Sequence, residues 1–227
     1  MLGETEWAIV LLSLRVALVA ILVALPFAFV FAWILARFSF WGKSLLQALI
    51  TMPLVIPPVV TGYLLLVWFG ARGMLGGFFN DVFGLTFSFR WTGAALAAGV
   101  MAFPLLVRPM RLSIESLDRG LEEAARSLGA GRIVVFLTVT LPLLLPGILA
   151  GAVLGFAKAL GEFGATITFV SNIPGETQTL SLAIYSLLQS PNGDVAALRL
   201  ILVSVVISII AVVASEWLQR RLSGGRA

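Results

Sequence analysis

The stretch ESLDRGLEEAARSLGAGRIVVFLTVTLP, residues 115–142, is the one long polar interruption in a chain that otherwise consists mainly of apolar runs. Four of its residues recur at the i, i+3, i+4 and i+7 spacing of a single helix face, namely Leu121, Ala124, Ala125 and Leu128. Glu122, Glu123 and Arg126 fall on other faces of the same helix. The pattern predicts a short amphipathic helix on the water side of a membrane.

Two glycines mark the end of this predicted helix. Gly129 and Gly131 are both expected to stop it by adopting a positive φ, which costs glycine no clash with a Cβ atom. The pattern leaves two interpretations open. The helix either docks a soluble partner, or it is a solvated loop helix that packs only on its own chain.

The composition places the chain among membrane proteins. Its 227 residues are 60% hydrophobic and 11% charged, whereas a soluble domain has roughly 25% charged residues. Several apolar runs exceed the ~18 residues that are needed to span a bilayer. The chain has no cysteine and no histidine, which removes disulfides and the commonest metal ligand and general base. We expect an all-α polytopic membrane protein that is not an enzyme and binds no cofactor or metal itself.

Five membrane spans are predicted within one domain, residues 7–218, and the segment 115–140 is predicted to be a cytoplasmic loop. The spans are 7–36, 45–69, 92–110, 141–161 and 195–218. Ten of the 15 lysines and arginines then flank the spans on the side of the central loop, and three flank them on the other side. The positive-inside rule places the N-terminus outside and the C-terminus in the cytoplasm. These flanking residues form no basic stripe, so no nucleic-acid partner is expected.

Prolines distinguish the second and third spans. Pro57, Pro58 and Gly62 lie close together in the second span, with Thr61 between them. Prolines free backbone groups that lipid cannot satisfy, and such backbone is tolerated where it faces protein or a water-filled cavity. These four residues are therefore candidates for a translocation path, and the alternative is a kink that only helps the bundle to pack. Pro104 is expected to interrupt the third span.

The fourth span carries a small-residue face and a charged pair. Gly147, Gly151 and Gly155 repeat every four residues, which favours close approach of another helix. Lys158 and Glu162 are four residues apart and are expected to pair.

Residues 163–195 do not form a clean span. Their amphipathic part is predicted to be too short to cross, and one of its faces is predicted to hold Leu180, Ile184, Leu187 and Leu188. We expect a re-entrant or interfacial hairpin that caps the outer mouth.

The central segment resembles the EAA signature of ABC-importer permeases. Its residues read Glu123-Ala124-Ala125, then Gly129 after three residues, then Leu141-Pro142 at the end of the motif. One position departs, because Val139 stands where the signature has isoleucine. The resemblance implies that the loop is the cytoplasmic docking site of an ATPase subunit. The residues implied in ATPase coupling are Glu123, Ala124, Ala125, Gly129, Leu141 and Pro142.

Two further runs are similar to the permeases of molybdate ABC importers: PLVIPPVVTGYLLL, residues 53–66, and GEFGATITFVSNIPGET, residues 161–177. Glu162, Gly164 and Thr166 of the second run complete the candidate translocation path. The resemblance implies a type I ABC importer transmembrane domain in the bacterial inner membrane. It further implies a homodimer of this subunit, two cytoplasmic ATPase subunits that carry ATP and magnesium, and a periplasmic oxyanion-binding protein. Sulfate, thiosulfate or tungstate permeases and, more remotely, a passive anion channel remain alternatives.

Overall fold

The computed structural model describes residues 3–223, and all regular structure among them is helical. In chain order the helices are α1 (Glu4–Arg37), α2 (Lys43–Val55), α3 (Pro58–Phe69), α4 (Met74–Phe83), α5 (Trp91–Glu115), α6 (Arg119–Ser127), α7 (Arg132–Val135), a π-helical turn (Phe136–Thr140), α8 (Leu141–Leu160), α9 (Gly164–Val170), α10 (Leu180–Leu188) and α11 (Asp194–Ser223). Within this part of the chain, four helical stretches are long and apolar enough to cross a bilayer, or five if α2 and α3 count as one. The expectation of about five spans is confirmed.

Helix α1 is the longest of the described helices. It continues through Pro26 without a break for 34 residues, or about 51 Å at ~1.5 Å per residue, which exceeds the ~30 Å hydrocarbon core. One face of α1 is a buried row of small residues: Ala17, Ala20, Ala24, Ala28 and Ala32. This row lets α5 lie close along α1, as shown by Gly99, where an added Cβ would lie 3.4 Å from the Ala20 carbonyl oxygen.

Helix α8 packs on the other side of α5 through the predicted glycine face. A Cβ atom added at Gly147 would lie 2.4 Å from the Ser113 Cβ, and one at Gly151 would lie 2.8 Å from the Leu106 carbonyl oxygen. A Cβ at Gly155 would meet the Leu106 side chain at 2.9 Å. The small-residue packing prediction is confirmed. Helices α1, α5 and α8 form the core of the bundle.

The second predicted span is broken at Pro57 and Pro58. Helix α2 ends at Val55, α3 begins at Pro58, and the two axes differ by 112°. Consecutive prolines supply no N–H donors to the carbonyls of the preceding turn, and Pro58 sits at the first helical position, where no donor is required. The break is therefore a local consequence of residues 57 and 58.

One expectation about the spans is wrong. Pro104 does not interrupt the third span, because α5 continues through Pro104 and Pro109 to Glu115. Close packing against α1 and α8 holds this helix together despite its two missing hydrogen bonds. The sequence predicts one short helix in the segment 115–140, and the structure has α6, α7 and the π-helical turn there; its place on the cytoplasmic side stays a prediction.

Residues 163–195 form two short helices, α9 and α10, on the side of the bundle near the start of α1. The Ser13 hydroxyl accepts a hydrogen bond from the Leu180 N–H at 2.7 Å, which fixes α10 to α1. The predicted apolar face of α10 is partly wrong. Leu188 is exposed, whereas Leu182 and Ala183 are buried, because α10 packs on α1 and α11 with its first turn rather than along its whole length. The role of this segment as an outer cap stays a prediction.

Candidate coupling and translocation sites

Helix α6 is bounded by local signals. The Asp118 carboxylate caps its first turn by accepting a hydrogen bond from the Gly120 N–H at 2.8 Å. Gly129 follows the helix with a φ of +88°, as predicted. The expectation of a positive φ at Gly131 is wrong, since its φ is −66° and it precedes the first residue of α7. Gly129 alone reverses the chain.

An amphipathic helix on the surface of a protein usually turns its apolar face inward, whereas α6 turns its apolar face outward. Leu121 in α6 and Leu128 at its C-cap point away from the chain and are 48% and 88% exposed, whereas Glu122 is only 8% exposed. The buried carboxylate is compensated, because its Oε1 accepts hydrogen bonds from Arg37 Nη2 at 2.7 Å and Thr140 Oγ1 at 2.8 Å. Two polar partners inside the chain therefore decide which face of the helix turns inward.

Four exposed apolar side chains lie on α6, at its C-cap and on α7, and we call this set the coupling surface. It consists of Leu121, Leu128, Ile133 and Val134. Exposed charged residues lie beside them along the chain: Arg119, Glu123, Arg126 and Arg132. Exposed apolar side chains together with charged ones are typical of a surface that binds another protein.

The motif residues divide between two places. Glu123, Ala124 and Gly129 are exposed at the coupling surface, whereas Leu141 and Pro142 form the first turn of α8. The hydrogen bond between Glu122 and Thr140 joins these two parts of the motif. Sequence reasoning missed Glu122 and Arg37. They are 85 positions apart, and the sequence gives no signal that pairs them.

The candidate path residues of the second span and of residues 161–177 are neighbours in the structure. A Cβ atom at Gly62 would lie 2.5 Å from the Ala165 carbonyl oxygen, and one at Gly164 would lie 2.8 Å from the Pro58 Cβ. Helices α3 and α9 therefore touch through their backbones. Pro57 lies at the bend beside this contact and is exposed.

The polar members of this group are buried. Glu162 is 3% exposed and pairs with Lys158 at 2.6 Å, which confirms the predicted pair, and its other oxygen accepts a hydrogen bond from the Ala165 N–H. Thr166 is also buried. The Thr61 hydroxyl is buried and has no hydrogen-bond partner among the described residues; it borders an apolar cleft of about 200 Å³ under the bend. The role of these residues in a path stays a prediction.

Residues 24–224 match the family model described as the binding-protein-dependent transport system inner membrane component. The chain belongs to this family of membrane transport subunits. Its fold is that of the transmembrane domain of type I ABC importers. The fold is shared with a bacterial ABC transporter that imports the acidic polysaccharide alginate, with a TM-score of 0.74, 19% identity, and coverage of 97% of this chain and 80% of that one. A methionine ABC transporter, MetNI, in an inward-facing conformation matches with a TM-score of 0.66, 16% identity, and coverage of 96% and 94%.

Curated relatives are more similar in sequence. The chain is 57% identical over 219 residues to the molybdenum transport system permease protein ModB of Escherichia coli K12, covering 96% of each protein. It is 56% identical over 211 residues to ModB of Haemophilus influenzae, covering 93% of this chain and 92% of that protein. A sulfate transport system permease protein, CysT of Salmonella typhimurium, is 39% identical over 184 residues, covering 79% and 66%.

Proposed function

We propose that this chain is the membrane permease subunit of an ATP-driven importer of molybdate in the bacterial inner membrane. Identity to molybdenum permeases extends over nearly the whole chain, whereas identity to the sulfate permease CysT is lower and covers less of both proteins. This difference supports molybdate over sulfate and thiosulfate.

The observation that carries the transport mechanism is the outward orientation of the apolar residues of α6. A helix that served only its own bundle would bury Leu121 and Leu128, yet this helix buries Glu122 and exposes both leucines. Exposing apolar side chains to water is unfavourable by roughly 25 cal/mol per Å². The coupling surface is therefore the site at which a cytoplasmic ATPase subunit docks and removes this cost.

The transport cycle follows from this arrangement and from a homodimer of the subunit. ATP binding closes the ATPase dimer and draws the two α6 helices together. Helix α6 contacts the end of α1 and the segment before α8 through Glu122, so its motion tilts the spans and the path opens to the outside. A periplasmic binding protein delivers the oxyanion there, and ATP hydrolysis, which uses magnesium on the ATPase, reverses the motion.

The path itself is expected to hold the anion weakly, because a tight site would oppose release. Selectivity then lies on the binding protein. The neutralised Lys158–Glu162 pair agrees with this view, since it presents no free charge. The hypothesis for the path is that backbone N–H groups near the break between α2 and α3 solvate the passing anion.

The test is uptake by cells that lack this chain and are complemented with it. Uptake of radiolabelled molybdate is expected to return and to require the ATPase subunit. Excess unlabelled molybdate or tungstate is expected to inhibit this uptake more strongly than excess sulfate. Stronger competition by sulfate would contradict the substrate assignment. Uptake that persists without the ATPase would indicate a passive channel.

A further inference from the structure

One buried carboxylate fastens residues 118–131, which we call the coupling segment, to the rest of the bundle. Glu122 Oε1 accepts hydrogen bonds from the last residue of α1, through Arg37 Nη2, and from the end of the π-helical turn, through Thr140 Oγ1. Thr140 is 2% exposed, and the side chains of Arg37 and Glu122 are 12% and 11% exposed. Three separate elements meet at a single oxygen atom.

Aromatic contacts strengthen the same junction. Phe29, Trp33 and Arg37 are four residues apart and share one face of α1, and the Arg37 guanidinium lies 5.0 Å from the Trp33 ring centre. Phe136, in the π-helical turn, meets Trp33 edge-on at 5.8 Å and Phe29 at 6.2 Å. The last turns of α1 therefore contact both α6 and the segment that leads into α8.

The covalent connections of α6 alone would not transmit a rotation. Residues 116–118 precede the helix, and the turn that follows it contains Gly129. Short non-helical connections of this kind can absorb changes in φ and ψ, as hinges do. A side-chain tie to a long helix removes this freedom, provided that the tie is buried and specific in geometry.

We propose that Glu122 is a positioning residue that makes α6 move as one body with α1 and the start of α8, so that motion imposed by the ATPase reaches the bundle core. This inference rests on the proposed function. Consecutive residues on a helix point about 100° apart, so the two neighbouring glutamates face different surroundings and have different roles. Glu123 is exposed at the coupling surface, while Glu122 faces inward and holds the bundle.

The experiment uses the complex with its ATPase in proteoliposomes and measures molybdate transported per ATP hydrolysed. Glu122→Ala is expected to lower this ratio about tenfold, a typical size for coupling between sites, and Glu122→Gln is expected to have an intermediate effect. Removing one partner of a buried pair is strongly destabilising; Glu122→Gln, which keeps the shape, therefore tests the proposal if Glu122→Ala does not assemble. The exchange Arg37→Glu with Glu122→Arg is expected to restore part of the ratio.

A distance measurement reports the tie directly. The chain has no cysteine, so spin labels can be placed with Ser127→Cys and Trp41→Cys, both at exposed positions that belong neither to the coupling surface nor to its neighbouring charges. We expect a narrow distance distribution in the parent complex and a broader one with Glu122→Gln. This readout does not depend on which oxyanion is carried, so it separates failure of the tie from failure of the molybdate assignment.

Glu115→Gln is the matched control. It removes an ion pair of the same 2.7 Å length at the same end of the bundle, but that pair with Arg111 lies within α5 and is more exposed. Neither the transport ratio nor the label distances should change. An unchanged ratio with both Glu122 variants, an unchanged distribution with Glu122→Gln, or an equal loss with Glu115→Gln would overturn the proposal.

Discussion

At the scale of single residues, the coupling segment shows how one backbone angle and one side chain decide a local structure. Gly129 reverses the chain because it adopts a φ of +88°, and a Cβ atom there would meet nothing within 4 Å. The requirement at this position is therefore conformational and not steric. At Gly131 the φ is −66° and the space is equally open, so the two glycines of the motif region are not equivalent.

This difference gives a residue-scale prediction. Gly129→Ala is expected to destabilise the end of α6 by about 1–2 kcal/mol, the cost of a left-handed residue with a Cβ atom, and to reduce ATP-dependent uptake. Gly131→Ala should leave uptake unchanged, because alanine tolerates its backbone conformation. Uptake assays at equal membrane expression check both variants. An equal effect of the two substitutions would contradict the role given to the φ of Gly129.

A second residue-scale prediction concerns the exposed motif glutamate. Glu123→Lys reverses a charge at the coupling surface without disturbing a contact inside the chain. Binding of the ATPase is therefore expected to weaken about tenfold, or by ~1.4 kcal/mol of binding free energy. Membrane insertion is expected to be unchanged. Co-purification with the ATPase measures this. Glu176→Lys is the control, since Glu176 is exposed in the α9–α10 connection, near the other end of α1. Normal co-purification with Glu123→Lys would argue against docking at this surface.

At the scale of elements, small residues set the distances between helices. Helices α1 and α8 approach α5 through alanines and glycines, so backbone atoms and not long side chains define these contacts. In a membrane, where lipid is as apolar as leucine, such close packing replaces the hydrophobic effect as the source of helix association. The bundle core is therefore sensitive to single added carbon atoms.

The corresponding prediction compares two glycines inside helices. Gly151→Ala places a Cβ atom 2.8 Å from the Leu106 carbonyl oxygen. Because this contact pushes α5 and α8 apart, the free energy of unfolding is expected to fall by about 1–3 kcal/mol. At Gly77 in α4 nothing lies within 4 Å, so Gly77→Ala should be neutral or stabilising by up to ~1 kcal/mol. Thermal unfolding in detergent checks both. A higher midpoint for Gly151→Ala than for Gly77→Ala would contradict the packing account.

At the scale of the whole molecule, the structure agrees with the predicted fold class, while the orientation in the membrane is a prediction from charge. If the coupling surface is cytoplasmic, the turn after α1 lies on the same side, because Arg37 contacts Glu122. The start of α4 then lies on the opposite side, beyond the broken helix pair. A cysteine-free chain makes this testable.

We expect a membrane-impermeant thiol reagent, added to intact spheroplasts, to label Met74→Cys and not Trp41→Cys, whose parent side chains are 72% and 101% exposed. Opening the membrane should make Trp41→Cys equally reactive. Labelling of Trp41→Cys in intact spheroplasts would reverse the assigned orientation and remove the coupling surface from the cytoplasm.

The sequence by itself determined the features that depend on neighbours along the chain. The glycine face of α8, the Lys158–Glu162 pair and the break at Pro57 and Pro58 all follow from spacings of a few residues, which fix geometry within a helix. The motif from Glu123 to Pro142 likewise carried the resemblance to ABC-importer permeases. These local patterns were sufficient for the fold class and the family.

Only the tertiary structure decided which face of α6 points inward and whether α5 continues as a helix through Pro104 and Pro109. Both outcomes depend on residues that are distant in the sequence: Arg37 attracts Glu122 across 85 positions, and α1 and α8 enclose α5. A helical period indicates which residues share a face, but it does not indicate what lies opposite that face. A charged side chain is buried only where a partner compensates it, and the packing of the whole bundle sets the position of that partner.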